Sequence, residues 1–102
     1  MKRVLLGFVV TLSAGAAFAQ TPPDTFESKY CSGCHAIDKK MVGPSMKDVS
    51  AKYKDKSDAV AYLIGKIQKG GVGVWGQVPM PANASIPDAD AKVLAEWILK
   101  VK

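Results

Sequence analysis

The sequence predicts an all-α fold of about four short helices that needs more than its own side chains to hold together, and three observations carry that expectation. Strand-like alternation with hairpin turn signals is absent throughout, as are internal repeats, low-complexity tracts and interdomain linkers. Two stretches of the second half repeat their apolar residues at helical spacing between recognisable start and stop signals. The domain is also close to the size at which an unaided apolar core becomes marginal, so something besides side chains is expected to help hold it together.

The chain has 102 residues, and the first nineteen read as a leader. Met1-Lys2-Arg3 is a basic start, Val4 to Ala17 is an uncharged apolar run, and Ala17-Phe18-Ala19 offers the small-x-small pattern of a cleavage site. The uncharged stretch is barely a bilayer's width and ends without a basic stop signal, so stable membrane insertion is not expected. Residues 1–19 are therefore expected to be a signal peptide and residues 20–102 the single domain, exported to the periplasm.

Losing Lys2 and Arg3 takes the fourteen basic side chains to 12, all lysine, against nine acidic ones, a formal charge of +3 before any cofactor. With no arginine left to fork onto phosphates and base edges, nucleic acid is not an expected partner. A modest lysine excess suits transient docking on an acidic protein surface.

The elements follow in order. Thr21-Pro22-Pro23 is a helix start, and Phe26 and Tyr30, four apart, are expected on one face of a helix running into Cys31. A short helix after Pro44 is expected to turn Val49 and Tyr53 inward. The third helix is expected from an N-cap at Ser57, with Val60, Leu63, Ile64 and Ile67 on one stripe and Gly70-Gly71 as its stop. The last starts near Pro87, with Asp88 and Asp90 at the positive end of its dipole and Lys100 and Lys102 at the negative end. Its buried face is expected to be Leu94, Trp97, Ile98 and Val101. Between the last two helices, residues 70–84 form a Gly- and Pro-rich loop, long for so small a domain and hence a place for function.

The chemistry is concentrated in Cys31-Ser32-Gly33-Cys34-His35, the C-x-x-C-H pattern of covalent haem attachment. Two cysteines three apart at a helix end reach the two vinyl groups of one porphyrin, and Ser32 and Gly33 are small enough for the backbone to pass close to the ring. The adjacent histidine then lies under the iron, so its ligation is effectively intramolecular. A redox dithiol would need a strand and a βαβ context, and a zinc site more ligands than the chain owns. A disulfide across so small a loop would add little stability and leave His35 unexplained.

His35 is the sole histidine, which rules out two-histidine ligation and points to methionine for the opposite axial position. Met1 departs with the leader, Met41 is too near His35 to cross to the other face, and Met46 reads as core packing. Met80, between Pro79 and Pro81 in the long loop, is expected as the ligand, its backbone stiffened by both prolines.

On these residues the sequence resembles the short bacterial class I cytochromes c, of the cytochrome c-551 type, over essentially the whole mature chain. The blocks that carry the resemblance are Cys31 to Asp38, Met41-Val-Gly-Pro44, Gly73-Val-Trp75-Gly, Pro79-Met80-Pro81 and Asn83. The resemblance implies a small all-α wrap around one haem c, with the first and last helices crossing near Phe26 and Trp97. It also implies that the Pro44 carbonyl accepts the N–H of His35's non-ligating nitrogen, fixing ring orientation and basicity. Trp75 resembles a tryptophan that bonds a haem propionate, although an aromatic beside a haem needs no such role. Asn83 resembles an amide that donates to the methionine sulfur, the alternative being a turn asparagine. Lys66 stands where relatives often place arginine, and Met46 where an aromatic is common.

The implied role is a one-electron carrier rather than an enzyme, a monomer cycling between ferric and ferrous haem. Its partners would be redox proteins such as a membrane cytochrome complex, a terminal oxidase or a nitrite reductase. Docking is expected at an apolar haem edge near Val42, Pro44 and Val78 to Ala82, with Lys39, Lys40 and Lys47 either ringing it or merely solvated. The rival reading, an enzyme or gas binder with an open iron, has no second histidine to act as acid or base.

Overall fold

The computed structural model describes Gly7, Val9 and residues 21–102, so the expected leader lies, but for two residues, outside what is described. Among the described residues the regular elements are helical: α1 (Asp24–Ser28), a 3-10 turn at Cys31–Gly33, α2 (Met46–Tyr53), α3 (Ala59–Lys69) and α4 (Asp88–Ile98). The strand-like pairing among them is an isolated antiparallel bridge between Gly71 and Met80. No described helix is long and apolar enough to cross a membrane.

Proline sets the start of α1. Pro23 holds the N-cap position with φ −66° and ψ 155°, and its carbonyl accepts the Phe26 N–H at 2.9 Å. Phe26 is buried, but the helix stops at Ser28, and Tyr30 departs from its expected place on the same face. Tyr30 has φ +63° and is 86% exposed. The chain turns here into the 3-10 segment that carries Cys31, and a left-handed residue makes that turn; the spacing of four loses its meaning once the helix has ended.

Ser45 caps α2, its hydroxyl accepting the Asp48 N–H at 3.1 Å, and Met46, Val49 and Tyr53 turn inward as the pattern predicts. The buried Ser50 hydroxyl donates to the Leu99 carbonyl at 3.1 Å and ties α2 to the end of α4. The cap of α3 is Asp58, not Ser57, and it makes no side-chain capping bond. Its carboxylate is taken by Lys56 at 3.0 Å instead. Leu63 and Ile67 are buried, Val60 and Ile64 partly so, and Gly70 ends the helix at φ +69°.

Pro87 starts α4, with Asp88 and Asp90 in the first turn, where the helix dipole favours them. Leu94, Trp97, Ile98 and Val101 are buried as expected. The Phe26 and Trp97 rings meet edge to face, centroids 5.1 Å apart at 61°, which joins the chain's first and last helices. α3 packs along α4, so the core lies between these two helices and α1 and α2. What this core leaves open is a cleft bounded by α2, α3 and the 70–84 loop.

Candidate haem-binding site

The cleft is a hollow of about 960 Å³ when the open solvent at its mouth is included. Val49, Leu63, Ile67 and Ile98 supply its inner wall, and Val42, Val72, Val74, Trp75 and Val78 its exposed border. Cys34, His35 and Met80 all line it. Polar donors are thus few and converge on an otherwise apolar space.

His35 is fixed from behind. Its Nδ1 donates to the Pro44 carbonyl at 2.8 Å, since a carbonyl can only accept, which leaves Nε2 with its lone pair free. Gly43 lies flat against the imidazole: a Cβ there would collide with His35 Cε1 and lie 2.8 Å from Nδ1. The Gly43 backbone cannot retreat, because its N–H is held by the Cys34 carbonyl at 2.8 Å and its carbonyl by the Met41 N–H at 3.0 Å.

Cys31 and Cys34 are not joined to each other by a disulfide. Cys31 packs against the core while Cys34 is exposed at the cleft, and burial pushes the Cys31 thiol above its ordinary pKa. The backbone N–H of His35 donates to the Cys31 carbonyl at 2.9 Å, which closes one helical turn across the cysteine pair.

Met80 is half-buried and enters from the loop, its backbone paired with Gly71 in both directions at 2.8 and 3.0 Å. Met46, expected to be core packing, is buried and also lines the cleft. Asn83 donates one amide hydrogen to the Pro81 carbonyl at 3.4 Å, the geometry of a turn asparagine. Met41 is 41% exposed and absent from the cleft.

At the far end of the cleft, aromatic rings and lysines gather. Tyr53 and Tyr62 bring their hydroxyls to 3.3 Å, and Trp75 meets the Tyr53 ring edge to face at 6.3 Å. Lys52 lies 5.4 Å from the Trp75 ring centre and Lys66 5.4 Å from that of Tyr62, which places positive charge along an otherwise apolar wall. Burial, and then the Tyr62 hydroxyl, push the Tyr53 phenol up to about 12. Sequence reading missed this tyrosine pair; both tyrosines sit at helical spacing, and nothing local says that α2 and α3 bring them together. Lys39, Lys40 and Lys47 are exposed and do not line the cleft.

An apolar cleft with an oriented imidazole, a thioether and a nearby pair of thiols fits a covalently held haem: neutral N and S donors suit iron, and the apolar wall suits a porphyrin face. The protein is thus defined as a monohaem c-type electron carrier of small helical fold.

The chain belongs to the cytochrome c family, whose model matches residues 19–102. It is 50% identical over 103 residues to cytochrome c-552 of Nitrosomonas europaea and 51% identical over 102 residues to cytochrome c-552 of Hydrogenobacter thermophilus, with both chains fully covered in each case. It is 49% identical over 92 residues to cytochrome c-551 of Pseudomonas aeruginosa, covering 90% of this chain and 88% of that one. The crystal structure of wild-type Nitrosomonas europaea cytochrome c552 superposes with a TM-score of 0.76 at 54% identity, over 78% of this chain and 98% of that one. The all-α class I fold, the single covalently bound haem c and the electron-carrier role expected from the sequence all stand.

Proposed function

We propose that Cys31 and Cys34 carry the two thioether links, that His35 Nε2 and the Met80 sulfur bind the iron axially, and that the domain shuttles single electrons in the periplasm. Residues 1–19 are the signal peptide that sends it there. The observation that carries this reading is the convergence of His35 and Met80 on one apolar cleft, with the imidazole tautomer set by the 2.8 Å bond to Pro44.

When bound, the haem supplies an iron that gains or loses one electron. The polypeptide keeps that change small in structural cost. His35 is backed by Gly43 and bonded to the Pro44 carbonyl, and the Met80 backbone is paired with Gly71, so the main chain holds both donors in place. A neutral sulfur donor and an apolar wall both favour the ferrous form, which raises the potential. Trp75, beside Tyr53 and Lys52, is the residue proposed to bond a propionate. Asn83 retains a second amide hydrogen that can be donated to the Met80 sulfur.

The exposed border of the cleft, with Val42 56% and Val78 63% accessible, is the proposed docking edge. Its partners are redox proteins such as a membrane cytochrome complex, a terminal oxidase or a nitrite reductase, met as a monomer, with Lys39, Lys40 and Lys47 steering the encounter. Electron-transfer rates that fall with ionic strength would support the steering; rates indifferent to salt would remove it.

Ligation is tested by optical spectroscopy of the oxidised protein. Met80→Ala should abolish the sulfur-to-iron band at the red end of the spectrum and open the ferrous iron to carbon monoxide. A band that persists in Met80→Ala would assign the sulfur to another methionine, and a parent that lacks the band and binds carbon monoxide readily would reinstate the open-iron reading.

A further inference from the structure

Residues 71–79 are exposed throughout, so the loop carrying Met80 is not held by burial of its own side chains. Gly73 and Gly76 add conformational freedom at φ +99° and +115°, with nothing within 4 Å of a Cβ at either. What fixes Met80 is therefore backbone, and it comes from the end of α3.

Gly70 has φ +69° and ψ −161°, a region open essentially to glycine alone. A Cβ at Gly70 would strike the Met80 carbonyl oxygen, 2.8 Å from the Pro81 carbonyl carbon and 2.9 Å from the Ala82 nitrogen. All three are main-chain atoms and cannot swing aside. One residue on, Gly71 exchanges both hydrogen bonds with Met80, and the Asn83 N–H donates to the Gln68 carbonyl at 3.1 Å. Gln68 in turn donates to Asp88 Oδ1 at 2.6 Å and to the Ile86 carbonyl at 3.1 Å, anchoring the seat to the start of α4.

We propose that Gly70 is the positioning residue for Met80: by letting residues 80–82 pass flush against the end of α3, it sets how rarely the methionine sulfur leaves the iron. This rests on Met80 being the ligand. Gly65 is the internal control: it lies in the same helix, away from the cleft, with nothing within 4 Å of a Cβ.

The test is an imidazole titration of the oxidised holoprotein. Imidazole reaches the iron only while Met80 is off, so its apparent dissociation constant scales inversely with the off fraction. Gly70→Ala should lower that constant about tenfold or more and weaken the red sulfur-to-iron band, while Gly65→Ala stays within about twofold of the parent. A Gly70→Ala protein with parental band and parental imidazole affinity overturns the proposal. A parent without the band removes the Met80 reading instead.

Should Gly70→Ala fail to accumulate, amide hydrogen exchange in the parent decides. The Gly71 and Met80 amides should be protected, and saturating imidazole should release them while the Leu94 amide in α4 stays protected. Unchanged protection at Gly71 and Met80 overturns the proposal.

Discussion

Replacing Gly43 with alanine puts a methyl group where the His35 ring already is. The added Cβ would overlap Cε1 and lie 2.8 Å from Nδ1 and 3.1 Å from Nε2. Two routes of relief are closed, since the Gly43 backbone is held by Cys34 and Met41, and a rotated imidazole gives up its bond to Pro44. Overpacking of this kind costs about 1–3 kcal/mol, and the lost hydrogen bond about 0.5–1.5 kcal/mol more. A central value of about 3 kcal/mol lowers the melting temperature of a domain this size by about 12–24 °C. Thermal unfolding of the oxidised holoprotein by far-UV circular dichroism measures it, with Gly65→Ala as reference. Gly65 lies within α3 with nothing within 4 Å of a Cβ, so that variant should gain about 0.5–1 kcal/mol. If Gly43→Ala melts within about 3 °C of the parent and its His35 Nδ1 proton stays protected from exchange, the clamp on the imidazole is not what the geometry implies.

Three further outcomes are expected. Leu94, 1% exposed at the centre of the core, should cost about 2–5 kcal/mol on truncation to alanine, read from denaturant unfolding. Tyr53 is held neutral in the fold up to about 12 against an ordinary 10.0, so the folded state retains a proton that the unfolded chain gives up. The parent should therefore lose stability as pH rises from 10.0 toward 12, and Tyr53→Phe should lose less over that window, measured by urea midpoints. The doubly substituted Cys31→Ala, Cys34→Ala chain, unable to hold the haem covalently, should be poorly helical. If the haem buries on the order of 400 Å² of apolar surface, its loss forfeits roughly 10 kcal/mol. A native-like helical spectrum from that haem-free chain would contradict this.

What was legible in the sequence was whatever depends on local periodicity and local chemistry. The faces of α2, α3 and α4 read correctly because each buries residues at helical spacing, and Gly70 and Pro87 announced a stop and a start. The cysteine pair and His35 were legible because the attachment motif is contiguous, and the Phe26–Trp97 contact and the Pro44 bond came through family resemblance. Tyr30 misled because its spacing from Phe26 assumes a helix that ends at Ser28. The cap of α3 falls one residue later than expected, at Asp58, whose carboxylate is held by Lys56 and makes no capping bond. Beyond reach altogether were pairings made by the fold: Tyr53 with Tyr62, and Gly70 against the Met80 backbone, where the sequence offers a helix stop and no hint of a second duty.

The account depends above all on a haem joined covalently to this polypeptide. Intact mass of the exported protein, taken under denaturing conditions that strip any non-covalent cofactor, tests it most directly. The expected mass is that of residues 20–102 plus one haem; the mass of the bare chain, with two free thiols or a disulfide, would contradict it.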